Sequence, residues 1–247
     1  MRKENNLKIQ ECDKLNVLCL HGYRQSAESF KSKTGSFRKF CKNYANFTYI
    51  NAPHLAKPFN EDDEPVEEQR SWWFNKDDGS FKGTNQSGPA IGFEASLKVV
   101  EDAWASGDYQ GLMGFSQGAS FISVICSLSE RSLTNIKPKF VLMAAGFLSG
   151  SLVHKNCYEN RISIPSLHIY GSTDEIIPHE MSLLLEGGFE YPKRIQHSGG
   201  HYFPATVNEK QPYINFFQDQ LQKYLEDREL KTGVTIEEQV EENADES

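Results

Sequence analysis

The chain has 247 residues, 38% of them hydrophobic and 12% aromatic, which suffices to bury one sizeable core as a single α/β domain. Its net charge of −8 is largely local, because Glu237, Glu238, Glu241, Glu242, Asp245 and Glu246 supply six of those charges and leave about −2 for the rest. No basic stripe suits nucleic acid and no apolar run approaches the length of a membrane span. Cys12, Cys19, Cys41, Cys126 and Cys157 are five cysteines without metal or redox spacing, and they read as reduced thiols of an intracellular protein, cytoplasmic with a nuclear location equally open.

In chain order, residues 1–14 form a polar N-terminal extension, and Met1 to Cys12 lacks the apolar core of a signal peptide. Asn16-Val17-Leu18-Cys19-Leu20 reads as a buried strand that runs directly into His21-Gly22-Tyr23-Arg24-Gln25-Ser26. The segment from Asn60 to Glu68 is an acidic loop. Trp72-Trp73-Phe74 follows it and precedes the Gly-rich stretch from Asp78 to Pro89, a context that predicts an irregular excursion over the sheet. From Gly92 to Ala105 the positions of Phe93, Leu97, Val100 and Trp104 have helical spacing.

Tyr109-Gln110-Gly111-Leu112-Met113 is short enough for a buried strand, and Ala119, Phe121, Ile122, Val124, Ile125 and Leu128 can line a buried helix face. Between them stands Gly114-Phe115-Ser116-Gln117-Gly118. A Gly-x-Ser-x-Gly at a strand-to-helix turn is a nucleophile elbow: the turn strains the serine backbone and lifts its hydroxyl above the sheet, while the glycines keep side chains out of the way. Ser116 is therefore the candidate nucleophile.

Further strands are predicted at Phe140-Val141-Leu142-Met143 and Ser166-Leu167-His168-Ile169-Tyr170, the second leading through Gly171-Ser172-Thr173 to Asp174. A carboxylate just past a strand can accept the Nδ1 hydrogen of a histidine and stabilise the imidazolium formed when a serine is deprotonated. As a simple turn former, Asp174 would instead cap the segment that begins near Pro178. Lys193 to Gln196 is a short final strand, followed by His197-Ser198-Gly199-Gly200-His201. Of the two histidines His201 is the expected base, since the paired glycines give its loop backbone freedom, and His197 is expected to be structural. His54, His154, His168 and His179 have no metal-ligand spacing. A last helix is predicted from Asn208 to Leu225, burying Tyr213, Phe216, Phe217, Leu221 and Leu225. Residues 226–247 form an acidic tail too polar to fold alone.

An oxyanion hole needs two aimed N–H donors. One is the backbone amide of Gln117, at the start of the helix. The other is expected from the loop after the first strand, where the His21-Gly22 pair turns the chain so that the Tyr23 amide faces the substrate, with the Arg24 amide as the alternative. His21 then supports the loop and is not a second base.

Taken together, Leu18 to Ser26, Trp72-Trp73-Phe74, Gly111 to Ala119 and Ser198-Gly199-Gly200-His201 resemble the FSH family of serine hydrolases, in particular its ovarian-cancer-associated (OVCA-type) esterases. The resemblance spans Leu15 to Leu225, so that residues 15–225 are read as the catalytic domain. It places Ser116, Asp174 and His201 at the triad positions and implies an α/β-hydrolase fold, with a mostly parallel central sheet and helices on both faces. It also implies hydrolysis of carboxylic esters, with fungal relatives acting as thioesterases. Two departures limit it: the Asn60 to Glu68 segment is acidic and of variable length, and the tail after Leu225 has no counterpart in it.

The expected reaction is cleavage of a small-molecule acyl ester through an acyl-enzyme, without cofactor or metal. Trp72, Trp73 and Phe74, joined by Phe147 and Leu148, either wall an acyl pocket or anchor the excursion to the core. The first reading, in a site without an Arg or Lys clamp, favours neutral acyl chains of medium to long length. The alternatives are a thioesterase acting on acyl carriers or acylated protein, and a binding protein on a hydrolase scaffold. The oligomeric state is not encoded in any feature of the sequence.

Overall fold

The computed structural model describes residues 13–57, 66 and 68–232. The acidic loop up to residue 65, the first twelve residues and residues 233–247 of the predicted tail lie outside the described residues. A six-stranded sheet in the order β2-β1-β5-β6-β7-β8 runs through the molecule, comprising β1 (Leu15–Leu20), β2 (Ala45–Ile50), β5 (Gly111–Phe115), β6 (Phe140–Ala144), β7 (Ser166–Gly171) and β8 (Pro192–His197). Every neighbouring pair in it is parallel. A separate antiparallel pair, β3 (His54–Leu55) and β4 (Arg70–Ser71), lies in the excursion.

Parallel strands buried on both faces need apolar side chains at every position, which is why these segments stand out in the sequence as continuous apolar runs. Their alternation sorts the core into two layers. Leu18, Leu20, Leu112, Val141 and Met143 pack with α3 (Phe93–Ala105), α4 (Gln117–Glu130) and Leu185 of α5 (His179–Gly187). On the opposite face Leu15, Val17, Cys19, Met113, Phe115, Phe140, Leu142, Leu167 and Ile169 meet Phe30 of α1 (Ala27–Lys33), Phe37 and Cys41 of α2 (Gly35–Cys41), and Tyr213, Phe216, Phe217 and Leu221 of α6 (Val207–Thr232). The mostly parallel sheet with helices on both faces is thus as expected.

Several boundaries differ from the sequence reading. The central strand starts at Gly111, two residues later than Tyr109, because the Gln110 side chain accepts from the Asn16 amide (2.8 Å) and the Tyr109 ring turns aside onto Trp104 (5.9 Å). The last helix continues past Leu225 to Thr232, so its final turns belong to the folded body and not to the tail. A Gln222 to Glu226 hydrogen bond (2.9 Å) supports those turns, and Arg228 reaches back to Asp13 (2.7 Å). Cys19, Cys41, Cys126 and Cys157 are buried free thiols.

Candidate active site

Ser116 follows β5 directly and caps α4 with φ +52° and ψ −113°, a strained backbone held by its own amide donating to the Ala144 carbonyl (2.8 Å). The flanking glycines are required by space. A Cβ on Gly114 would lie 2.6 Å from the Gly118 carbonyl carbon, and one on Gly118 would lie 2.2 Å from the Leu20 oxygen. The sharp turn and the tight packing of α4 against β1 therefore both depend on residues without side chains.

The loops after β7 and β8 bring the partners to this serine, at the carboxyl ends of the strands where open α/β sheets form their sites. His201 Nε2 lies 3.0 Å from Ser116 Oγ, and His201 Nδ1 lies 2.7 Å from Asp174 Oδ2. The other carboxylate oxygen, Oδ1, accepts from the amides of Ile176 and Ile177, each at 2.9 Å. Asp174 thus does both things its position suggested, organising its turn with one oxygen and holding His201 with the other. Burial pushes its carboxyl up, but the hydrogen bond from His201 and the two amides outweigh burial and hold it below the usual carboxylate range. An ionised Asp174 only accepts, so Nδ1 carries the hydrogen and the Nε2 lone pair faces the serine hydroxyl.

The two loops are laced to each other. Ser172 N donates to His197 O (2.8 Å), Thr173 N to Gly199 O (3.2 Å), and a Cβ on Gly171 would lie 2.0 Å from that same Gly199 oxygen. The Gly-Gly pair was expected for backbone freedom. Neither residue has a positive φ, however, and a Cβ on Gly199 would lie 2.1 Å from the Tyr202 hydroxyl, so that the Tyr202 ring packs directly over this backbone. His197 ends β8, accepts from the Gly199 amide through Nδ1 (3.3 Å) and packs on the Tyr202 ring (4.8 Å). It makes no hydrogen bond to Ser116 or Asp174. His54, His154 and His168 are engaged with Gly92 O, Ser149 Oγ and Ser166 Oγ respectively.

Gln117 is the first residue of α4, so its backbone amide belongs to the unsatisfied N-terminal turn and faces outward. In the loop after β1, the Arg24 amide is already committed to the Arg70 carbonyl (2.8 Å), with Arg24 at φ +57°. The Tyr23 amide makes no hydrogen bond to the described residues, which separates the two alternatives. Below it, His21 donates from Nδ1 to Gly22 O (2.7 Å) and accepts the Ala52 amide at Nε2 (3.0 Å). Burial lowers its pKa to about 4, so this histidine is a neutral loop brace.

Sequence reasoning missed the strap formed by Arg70 to Trp73, which ties both loops together. Arg70 N donates to Gln25 O (3.0 Å), and the Trp72 indole donates to His21 O (2.8 Å). The buried Gln117 side chain accepts the Trp72 amide (2.9 Å) and donates to Trp73 O (2.7 Å). A glutamine beside a nucleophile signals nothing by itself, since its partners lie more than forty positions earlier in the chain.

These contacts correct the pocket expectation. Trp72 and Trp73 are 0% exposed and Phe147 is 1% exposed, so they have almost no surface with which to touch an acyl chain. Trp72 packs on His21 (5.1 Å) and Phe121 (5.3 Å), and Trp73 on Phe81 (5.1 Å) and Phe121 (5.9 Å). They anchor the excursion. Phe74 is half-buried against His54 (5.8 Å) and pairs through its backbone with Ile91. The preference for medium to long chains loses the wall on which it rested. Among the described residues no group of three or more His, Cys, Asp and Glu side chains is placed to hold a metal ion, and no helix is long and apolar enough to cross a membrane.

Comparison with known proteins shows the family and the fold. The chain is 60% identical over 229 residues to Esterase CG5412 of Drosophila melanogaster, covering 92% of this chain and 82% of that protein. To Esterase OVCA2 of Danio rerio it is 36% identical over 219 residues, covering 83% and 96%. Among solved structures, acyl-protein thioesterase 2 of Zea mays superposes with a TM-score of 0.60 at 17% identity, covering 84% of this chain and 94% of that one. Esterase PE8 gives 0.56 at 19% identity, covering 83% and 92%. These two likenesses identify the fold as that of an α/β-hydrolase. The family model for serine hydrolase (FSH1) matches residues 10–213, and the chain belongs to that family.

Proposed function

We propose that this protein hydrolyses carboxylic esters of small molecules, with Ser116 as nucleophile, His201 as general base and acid, and Asp174 as the carboxylate that orients His201. The observation that carries the reading is the unbroken hydrogen-bond path from Ser116 Oγ to His201 Nε2 (3.0 Å) and from His201 Nδ1 to Asp174 (2.7 Å), starting at a strained elbow. The names of the two relatives reported above, both esterases, point the same way.

In this reading Ser116 Oγ attacks the ester carbonyl carbon as His201 Nε2 takes the hydroxyl proton, and the imidazolium is stabilised by Asp174. The oxyanion is held by the amides of Gln117 and Tyr23. His201 then gives its proton to the ester oxygen as the carbon–oxygen bond breaks, and the alcohol departs. A water deprotonated by His201 attacks the acyl-enzyme, and the acid and free serine result. The strap from Arg70 to Trp73 keeps the two amides in register.

The test is labelling by a fluorophosphonate together with turnover of 4-nitrophenyl butyrate, in the full chain and in Ser116→Ala. Labelling and turnover that both vanish in the variant support the reading. Turnover that survives the substitution, or a wild type that neither labels nor turns over, defeats it. A butyryl thioester run alongside distinguishes an oxygen-ester from a thioester preference.

A further inference from the structure

A cavity of about 350 Å³ opens beside His201, on the side of α1, with Phe30, Phe115, Tyr202, Phe203 and Lys33 in its walls. Phe115 is the residue before the nucleophile and its ring lies 4.8 Å from that of His201. One wall of the cavity is thus His201, whose Nε2 lies 3.0 Å from Ser116 Oγ, and another is the residue that precedes Ser116. Its volume lies near the lower end of the range for small-molecule sites and suits one ring or a short chain.

Position assigns this space to one half of the ester. If His201 Nε2 returns the serine proton to the ester oxygen, the alcohol half must begin within hydrogen-bond reach of that nitrogen. The alcohol's remaining atoms then leave beside His201, and His201 is a wall of the cavity. The acyl half has the opposite attachment, through the carbonyl carbon held by Ser116 and the two amides.

Chemistry narrows the occupant. The half-exposed Tyr202 ring and the edges of Phe115 and Phe203 make the accessible lining mostly apolar, with Phe30 packed behind them at 1% exposure, and among the described residues no carboxylate borders the cavity. Lys33, at the last turn of α1, is exposed and makes no ion pair with any described residue. An ammonium that is not neutralised, at the rim of an apolar recess, favours a ligand with an apolar body and a negative end.

We infer that this cavity is the leaving-group subsite and that it takes an alcohol in which a compact apolar body carries an anionic group, a carboxylate or a phosphate, directed to Lys33. This rests on the ester-hydrolase reading and adds the substrate's alcohol half to it. Nothing in it depends on the length of the acyl chain.

Two butyrate esters isolate the charge. One is the ester of 3-(hydroxymethyl)benzoate and the other that of 3-(hydroxymethyl)benzamide, which match in acyl group and in size and leave as similar benzylic alcohols. The readout is the ratio of kcat/KM for the anionic ester over the neutral one, at low salt, in the full chain and in Lys33→Met and Lys33→Glu. Lys33 is exposed at a helix end, so neither substitution removes packing. The wild-type ratio is expected to exceed unity, to fall about threefold in Lys33→Met and about tenfold in Lys33→Glu, and to shrink as salt is raised. Turnover of both esters with a ratio that stays within twofold in Lys33→Glu overturns the subsite while leaving the hydrolase reading intact. A wild type that cleaves neither ester while 4-nitrophenyl butyrate is turned over also overturns the subsite alone. Failure on all three substrates overturns the hydrolase reading and this inference with it.

Discussion

Replacing Gly118 by alanine tests the packing on which the site is built. Helix propensity alone favours this change by about 1 kcal/mol, since Gly118 is the second residue of α4. Space opposes it. The new Cβ would stand 2.2 Å from the Leu20 oxygen, 2.6 Å from the His21 oxygen and 2.7 Å from the Leu20 carbonyl carbon, all of them backbone atoms that no rotamer change can move. Reaching ordinary contact requires the start of α4 and the end of β1 to separate by about 1 Å. The first carries the Gln117 amide, and the second leads into the loop that carries the Tyr23 amide. Overpacking of this kind costs about 1–3 kcal/mol, or roughly 2–12 °C in Tm for a chain of this size. A displacement of about 1 Å among reacting groups costs on the order of 100-fold in rate. Gly35→Ala is the control, because nothing lies within 4 Å of a Cβ there, and it is expected to keep wild-type turnover with stability equal or slightly higher. The assay is kcat/KM on 4-nitrophenyl butyrate with thermal unfolding of both variants. A Gly118→Ala protein as stable as wild type and within threefold of its activity would refute the reasoning.

Four further outcomes are expected. Ser116→Ala loses about 10⁶-fold in kcat with an unchanged circular dichroism spectrum and Tm, because the hydroxyl packs no core; activity within tenfold of wild type removes the mechanism. His201→Ala falls nearly as far while His197→Ala retains most activity, and the opposite ranking in a kcat comparison identifies His197 as the base. Trp72→Phe keeps a buried ring but leaves the His21 carbonyl without its indole donor, so about 1–3 kcal/mol of stability is lost and kcat falls more than KM rises; a change confined to KM in steady-state kinetics contradicts the strap. Stability also depends on pH. Burial lowers the pKa of His21, His154 and His168 to about 4, whereas an unfolded chain protonates its histidines near about 6.5. The unfolded state thus binds more protons in that window, and stability is lost as pH falls through it. Asp174 acts in the same direction at lower pH, its lowered carboxyl pKa giving stability that is present above the unfolded value and lost on protonation. Urea unfolding from about pH 7 down to about pH 4.5 measures the trend, and a flat profile contradicts it.

What could be read from the sequence was written in neighbours. Buried parallel strands such as Phe140–Ala144 and Ser166–Gly171 declare themselves as apolar runs, and the buried α4 follows its strand at once. The elbow's glycines flank Ser116, and the order Ser, Asp, His follows from where the strand ends fall. By contrast α1, α2 and the edge strand Ala45–Ile50 gave no such signal, since β2 is mostly half-exposed and the two helices span seven residues each.

Tertiary structure alone decided the finer questions. Tyr23 and Arg24 differ because Arg70, distant in the chain, takes one amide and not the other. His201, not His197, reaches Ser116 because the loops after β7 and β8 meet at Gly171 and Gly199. Three consecutive aromatics look alike as a wall or as an anchor. The difference lies in whether Gln117 and His21 lace their backbone and indole into the core, as they do for Trp72 and Trp73. Periodicity and turn sterics act over a few residues and leave a local pattern, whereas a hydrogen bond between remote segments depends on the packed fold that brings its donor and acceptor together.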